Sequence, residues 1–258
     1  MDILKFTLSG NYAHFRNPEI NNINLTFLQI HKTIIKGIVG AIIGLDGYNT
    51  SNLKNKSNVE FLDTLENIKI GIIPNVDKGI FPTEIISYVN QTGQASRQEG
   101  GCLIVKEKVL INPSWDIYLD LSLLEKEVQD KIKDYVLNSN SEYPYYFGKN
   151  HYFAEISNPS LFETARIEEP EYISSLFVKK GIVLDDEIED SNDLVYGKNP
   201  ILTSFIVPLD KDNDCGYTNY KNLYYTNYYI DEIENAENRY FIQDGSNKEE
   251  KAKIIEML

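Results

Sequence analysis

The chain has 258 residues, a mass of 29.6 kDa, 42% hydrophobic residues and a formal net charge of -14. The hydrophobic content is sufficient for a buried core and excludes bulk disorder. The acidic balance is atypical of a free-standing DNA or RNA binder. The charge is uneven, since residues 1–157 carry 15 basic and 18 acidic side chains and residues 158–258 carry 10 and 21. A role in binding nucleic acid would therefore need a local basic surface or the help of partner subunits.

The sequence also indicates where the protein works. Cys102 and Cys215 form neither a CxxC pair nor a disulfide framework, which favours a reducing cytoplasm. The first residues lack a basic segment followed by a long apolar one, so we expect no signal peptide. The most apolar run, residues 38–45, is far shorter than the roughly 20 residues of a membrane span. We therefore predict a cytoplasmic protein with no membrane partner.

Hydrophobic periodicity predicts strands and helices in chain order through the first 157 residues. The predicted strands are 2–9, 68–73, 81–89, 102–111, 115–121 and 151–156, and the predicted helices are 33–45, capped by Thr33, then 59–65 and 122–137. This order predicts an α+β fold with a ferredoxin-like β-α-β-β-α-β domain at residues 1–157. Residues 158–258 are predicted to form a smaller, acidic, Tyr-rich C-terminal subdomain, with a short helix at 248–258.

The first predicted helix is rich in glycine. Gly37, Gly40 and Gly44 lie on one helix face and should each cost about 1 kcal/mol relative to alanine. Either a neighbouring element packs closely against this face, or the helix entrance binds phosphate. The second interpretation uses the free N–H groups of the first turn, with His31, Lys32, Thr33 and Lys36 beside them.

The end of the first strand is a second candidate site. Tyr12, His14 and Arg16 follow it, and aromatic rings can stack on unpaired bases while arginine neutralises phosphate. The alternative interpretation is an ordinary exit from a strand, with Phe15 buried.

These segments together resemble a known family. The resemblance lies in four motifs: Leu8-Ser9-Gly10 continuing into Ala13-His14-Phe15-Arg16; Thr33 with the run from Gly37 to Leu45; Asn112-Pro113-Ser114-Trp115; and Tyr143-Pro144-Tyr145-Tyr146-Phe147-Gly148-Lys149 with His151, Ala154 and Ile156. Over residues 1–157 the chain resembles the RAMP superfamily of CRISPR-associated proteins. More narrowly, it is similar to the subunit that holds the 5′ handle of the guide RNA in type I Cascade complexes, of a type I-B-like member.

The resemblance implies a modified RRM-like fold with an inserted "thumb" hairpin, here at about residues 89–103. It implies a non-catalytic subunit that grips the 5′ handle of the crRNA, contacts the backbone and large subunits of Cascade, and meets target DNA only through the complex. The candidate RNA-binding residues, from the motifs and the resemblance together, are Tyr12, His14, Arg16, His31, Lys32, Thr33, Lys36, Gly37, Gln94 and Arg97.

An alternative function is metal-independent endoribonuclease processing of precursor crRNA, which is the activity of one branch of the family. That branch uses a tyrosine after the glycine-rich helix, a position that Tyr48 could fill, and a Lys-His pair after the thumb. No such pair follows here, and residues 101–121 contain no histidine. We therefore predict no nuclease activity. A generic acidic interaction module remains a third hypothesis if the resemblance is accidental.

Cofactor and metal motifs are weak, and we predict neither. His14, His31 and His151 show no HxxxH spacing. Residues 210–216 begin like a calcium loop, but the glycine falls one position late and Lys221 stands where the bidentate glutamate should be. The tyrosines between residues 217 and 229 are predicted to serve the core and subunit contacts rather than base stacking.

Overall fold

The computed structural model describes residues 2–19, 23–54, 58–90, 103–164, 166–167, 169–214, 216–233, 241–244 and 253–258. The tip of the predicted thumb, including Gln94 and Arg97, lies outside the described residues, as do both cysteines.

An antiparallel four-stranded sheet forms the centre of the first half. The elements of this half are β1 (Asp2–Ser9), β2 (Tyr12–Ala13), α1 (Lys32–Ile43), α2 (Tyr48–Leu53), α3 (Glu60–Thr64), β3 (Lys69–Pro74), β4 (Thr83–Asn90), β5 (Leu103–Ile111), β6 (Ser114–Asp120), α4 (Lys126–Leu137) and β7 (Glu155–Glu163). The sheet order is β3-β6-β1-β7, with α1 following β1 and α4 following β6. The architecture is α+β with mostly antiparallel sheets, as predicted, and it is consistent with a ferredoxin-like domain.

Both faces of this sheet are covered. Leu4, Phe6 and Leu8 of β1 are fully buried in the main core together with residues of α1 and α4, as the alternation of a strand requires. Ile3 lies on the opposite face in a second cluster with Tyr118 and with residues of the C-terminal strands.

The C-terminal half is built from short strands. These are β8 (Arg166–Ile167), β9 (Phe177–Val178), β10 (Ile182–Leu184), β11 (Leu202–Lys211), β12 (Tyr217–Thr226), β13 (Ile230–Ile233), β14 (Phe241–Asp244) and β15 (Lys253–Glu256). The strands β11, β12 and β9 form one small sheet, and β15, β14 and β8 form another. The helix predicted at residues 248–258 is wrong over its described part, because residues 253–256 pair with β14 as a strand.

The C-terminal segment packs on the central sheet. The main chains of Ile70 and Leu258 exchange hydrogen bonds of 3.2 and 3.0 Å. Asp244 accepts from Lys5 at 2.8 Å and from the hydroxyl of Tyr118 at 2.7 Å. The predicted boundary after residue 157 falls inside β7, and the division into two units remains a prediction.

Most first-half elements are confirmed within a few residues, with three shifts. The predicted cap Thr33 is wrong: α1 begins at Lys32, and its N-cap His31 makes no side-chain capping bond. The helix α4 begins at Lys126 rather than 122, and β7 spans Glu155–Glu163 rather than 151–156.

A separate ribbon carries the predicted thumb. Strands β4 and β5 pair antiparallel from Thr83↔Leu110 to Asn90↔Leu103, and β2 adds to the side of β5. The described part of the predicted thumb is the far end of this ribbon, at residues 89, 90 and 103.

Candidate nucleic-acid interface

An open cleft of about 500 Å³ runs along one face of α1, and we call it the helix cleft. Its lining includes Thr33, Gly37, Tyr48, Tyr145, Lys211 and Tyr217. The glycines of α1 have different surroundings here. A Cβ on Gly40 would lie 2.8 Å from the Cβ of Phe61, whereas a Cβ on Gly37 would meet nothing within 4 Å. Close packing against Phe61 therefore explains why residue 40 is a glycine, whereas Gly37 leaves open space in the helix cleft.

A lysine held between two tyrosine rings forms one wall of the helix cleft. The Nζ of Lys211 lies 4.5 Å from the ring centroid of Tyr48 and 5.2 Å from that of Tyr217. The Tyr48 hydroxyl donates to the main-chain oxygen of Asp212 at 2.8 Å, which fixes the ring. A cation over an aromatic face is a stabilising arrangement. It places a positive charge and two rings at one point of the cleft.

A second cleft of about 480 Å³ adjoins the first, and we call it the arginine cleft. His14, Arg16, Asn24 and Lys149 line it, and it shares Ile34, Gly148, Lys211 and Tyr217 with the helix cleft. Gly148 permits this close meeting of segments: its φ is +81°, and a Cβ there would lie 2.0 Å from the carbonyl oxygen of His14. The two clefts thus form one continuous surface with basic and aromatic side chains.

A buried carboxylate anchors Lys149. Glu107 on β5 is 1% exposed and accepts hydrogen bonds from Lys149 and, at 2.9 Å, from the Tyr152 hydroxyl. The hydroxyl of Tyr88 on β4 lies 3.4 Å from the same carboxylate. Burial alone would raise the pKa of Glu107, but the bonds from Lys149 and Tyr152 lower it overall. The cluster ties the predicted thumb ribbon to the segment that lines both clefts.

His31 belongs to the core and not to either cleft surface. It is fully buried, shares a 2.6 Å hydrogen bond with Thr33, and meets the rings of Phe27 and Tyr217 edge-on at 5.3 Å each. Burial lowers the pKa of His31 to about 3, so the ring is neutral at physiological pH. His14 is also buried, at 3% exposure, and its Nδ1 donates to the main-chain oxygen of Lys108 at 2.8 Å.

The two α1 lysines are not the exposed cations that phosphate binding at the helix entrance would require. Lys36 is 4% exposed, and its Nζ donates to the main-chain oxygen of Glu66 at 3.3 Å. Lys32 is half-buried and donates to the main-chain oxygen of Leu258 at 3.2 Å. Burial lowers the pKa of both lysines, that of Lys32 to about 8. Lys32 is half-buried because the C-terminal segment packs against that side of the first turn of α1.

Of the predicted site residues, the structure brings Thr33 and Gly37 into the helix cleft and His14 and Arg16 into the arginine cleft. Tyr12 is 38% exposed and lines a third cleft with Tyr152, their ring centroids 5.8 Å apart. The roles of these residues in RNA binding remain predictions, and Gln94 and Arg97 lie outside the described residues.

Sequence reasoning missed three residues of the clefts. Lys149 closes the aromatic-glycine motif at residues 143–149, so its place beside the other motifs could have been noted. Lys211 and Tyr217 lie in the acidic half, and no sequence signal links them to α1. They reach the cleft because β11 and β12 pair tightly, with Lys211 opposite Tyr217.

Among the described residues, no group of three or more His, Cys, Asp or Glu side chains is arranged to hold a metal ion. Within the same part of the chain, no helix combines the length and apolar content needed to cross a membrane.

Comparison with protein-family models and with curated protein sequences finds no match. Two solved structures resemble nearly the whole chain with a TM-score of 0.50. One is a CRISPR protein from Archaeoglobus fulgidus, 9% identical, with 99% of each chain covered. The other is a chain of a CRISPR RNA-guided surveillance complex, 9% identical, with 89% of this chain and 91% of that chain covered. The chain shares its fold with CRISPR-associated proteins. At this identity the likeness concerns the fold alone.

Proposed function

We propose that this chain is a non-catalytic crRNA-binding subunit of a CRISPR interference complex of the type I Cascade kind, where it grips the 5′ handle. The observation that carries the proposal is a continuous basic and aromatic surface on a fold shared with CRISPR proteins. A chain of net charge -14 places Arg16 and Lys211 around two joined clefts, with Lys149, which is paired with Glu107, beside them. Clustered cations beside aromatic rings are the pattern that binds single-stranded RNA.

The fold can be interpreted in the same terms. The series β1-α1-β3-β6-α4-β7 corresponds to the β-α-β-β-α-β unit of an RRM-like RAMP domain, with the β4–β5 ribbon as its thumb. In this proposal the ribbon contacts the RNA and the backbone subunit, and the large subunit and target DNA are met only in the assembled complex. Backbone and large subunits would supply most of the phosphate neutralisation that the acidic chain lacks.

Endoribonuclease activity is the alternative, and the side chains of the clefts favour it less. Cleavage at a ribose 2′-OH needs a general base and a group that protonates or stabilises the leaving oxygen. Tyr48 is the cleft's candidate, but its hydroxyl donates to a main-chain oxygen. His14 and His31 are buried at 3% and 0% exposure, and burial lowers the pKa of each.

The test measures binding of a fluorescein-labelled repeat RNA by anisotropy at several salt concentrations. Arg16→Ala should weaken binding and flatten the plot of log affinity against log salt by about 0.7, the effect of one phosphate contact to a single strand. Lys126→Ala is the matched control, since it removes an exposed α4 lysine that lines neither cleft.

Gel analysis of the same reactions, with and without Mg²⁺, should show intact RNA. Co-purification with the neighbouring operon products should recover the crRNA together with the backbone subunit. Cleavage to a 2′,3′-cyclic phosphate that Tyr48→Phe abolishes would replace the proposal by the nuclease alternative. Equal effects of the Arg16 and Lys126 variants on RNA affinity would show that the RNA does not bind in these clefts.

A further inference from the structure

We infer that the helix cleft is a nucleobase site, which holds one unstacked base of the bound RNA between the Gly37 face of α1 and the rings of Tyr48 and Tyr217. The inference rests on the proposed function and adds what this part of the surface recognises. The sequence predicted a phosphate site at this helix entrance, whereas the inferred ligand here is an aromatic base.

The shape of the helix cleft suits a flat ligand. Its volume of about 500 Å³ is within the range of small-molecule sites, about 300–1,000 Å³. Gly37 has nothing within 4 Å of where a Cβ would stand, so the helix backbone itself is accessible to a ligand. A glycine that costs helix stability and packs against nothing is explained if a ligand approaches closely there.

The tyrosine rings of the cleft are held in place, and a base that stacks on them takes the position that the Lys211 ammonium occupies over their faces. Tyr217 makes edge-on contacts with His31 and Phe27, with ring centroids 5.3 and 5.7 Å apart. The ring centroids of Tyr48 and Phe61 are 5.9 Å apart, also edge-on. Rings held by such contacts lose little conformational entropy when a base stacks on them. Stacking is tolerant of base identity, because every base has a π-face.

The cations of α1 do not make this cleft a phosphate site. The ammonium groups of Lys32 and Lys36 donate to main-chain oxygens outside it. The cation of the cleft is Lys211, which lies over the rings of Tyr48 and Tyr217 at the junction with the arginine cleft. A base in the helix cleft would therefore place its phosphates beside Lys211 and Arg16. This arrangement joins the two clefts in a single binding path.

The experiment compares three probes by fluorescence anisotropy: a uridine octamer, an adenosine octamer, and an abasic ribose-phosphate octamer. Gly37→Leu puts a side chain into the cleft from a position where the Cβ meets no neighbour within 4 Å, and the gain in helix propensity should raise the melting temperature slightly. It should lower the affinity for at least one base-containing octamer about 5- to 150-fold, the loss of one stacked base. Binding of the abasic octamer should not change.

Graded variants separate filling of the cleft from an effect on the helix. Gly37→Ala gains the same helix propensity but adds one methyl group, so its loss of affinity should be smaller. Tyr48→Phe keeps the ring and should retain most of the affinity. Tyr48→Leu removes the ring and should lose as much affinity for the base-containing octamer as Gly37→Leu does. Competition with the four nucleoside monophosphates tests whether a free nucleotide fills the same site.

The outcomes distinguish this inference from the proposed function. If Gly37→Leu changes nothing while Arg16→Ala weakens both base-containing octamers, the nucleobase site is refuted and RNA binding stands. If no octamer binds but the repeat RNA does, the nucleobase site is refuted and RNA binding stands; if neither the octamers nor the repeat RNA binds, both proposals fail. If a monophosphate alone binds as tightly as the octamers, the cleft is a free-nucleotide site and the inference is overturned.

Discussion

Replacing Lys149 with methionine tests the buried charge pair that joins the ribbon to the cleft. Methionine keeps the length and apolar stem of the side chain but leaves Glu107, at 1% exposure, without its cation. Breaking a fully buried pair in this way costs about 3–5 kcal/mol. Lys149 is 24% exposed and the Tyr152 hydroxyl remains 2.9 Å from the carboxylate, so we expect about 2–3 kcal/mol. That corresponds to a fall in melting temperature of about 4–12 °C for a chain of this size.

The pH dependence identifies the cause. Burial would raise the pKa of Glu107, but the bonds from Lys149 and Tyr152 lower it overall. A lowered carboxyl pKa stabilises the fold above the unfolded pKa of about 4.3, and this contribution is lost as the pH falls through the folded pKa. Without Lys149, burial raises the pKa instead. The deficit of Lys149→Met should therefore be largest near neutral pH and shrink on acidification.

Urea denaturation at pH 7 and pH 4.5 measures both quantities. The double variant Lys149→Met with Glu107→Gln should recover more than half of the lost stability, because it no longer buries an unpaired charge. A deficit that is constant with pH, or a double variant no better than the single one, would refute this account of the ribbon's attachment.

Two further predictions concern single positions. Gly148→Ala should destabilise the fold by more than about 2 kcal/mol in thermal melts, because a left-handed backbone costs about 1–2 kcal/mol and the new Cβ would also meet the His14 carbonyl. The control Gly37→Ala should be neutral or stabilising. Equal effects of the two variants on stability would contradict the geometry. His31→Phe should reduce the loss of stability on acidification. A buried histidine with a pKa of about 3 costs the folded state about 1.4 kcal/mol for each pH unit below its unfolded pKa of about 6.5. If the slope of the free energy of unfolding against pH between pH 6.5 and 5 does not change, His31 can protonate in the folded state.

The central sheet and its helices could be predicted because their signals are local. Leu4, Phe6 and Leu8 alternate along β1, and Ile132 and Val136 repeat at helical spacing on α4. Each pattern depends on which face of a single element is buried, and that is legible from a few neighbouring residues. Shifts of one to seven residues occurred at element ends, where capping and pairing depend on the surroundings.

The environment of the α1 lysines could not be predicted because it depends on distant chain. Lys32 and Lys36 are charged residues in the first turns of a helix, a pattern typical of an exposed, solvated face. The main-chain oxygens that accept from them belong to Leu258 and Glu66. Nothing in the local sequence shows that residues 253–258 form a strand and dock beside β3. The same limit applies to Lys211, whose role follows only from the pairing of β11 with β12.

The acidic half changes how the charge of this protein should be interpreted. It carries most of the excess of carboxylates, yet it supplies Lys211 and Tyr217 to the clefts and β14 and β15 to the back of the central sheet. Repulsion of RNA by the net charge of -14 is screened beyond about 8–10 Å at physiological salt. In the proposed function, phosphates beside the arginine cleft would therefore respond mainly to the few side chains that line it. On this argument a chain of strongly negative charge can hold RNA, with an affinity that depends on the positions of Arg16 and Lys211 rather than on the overall charge.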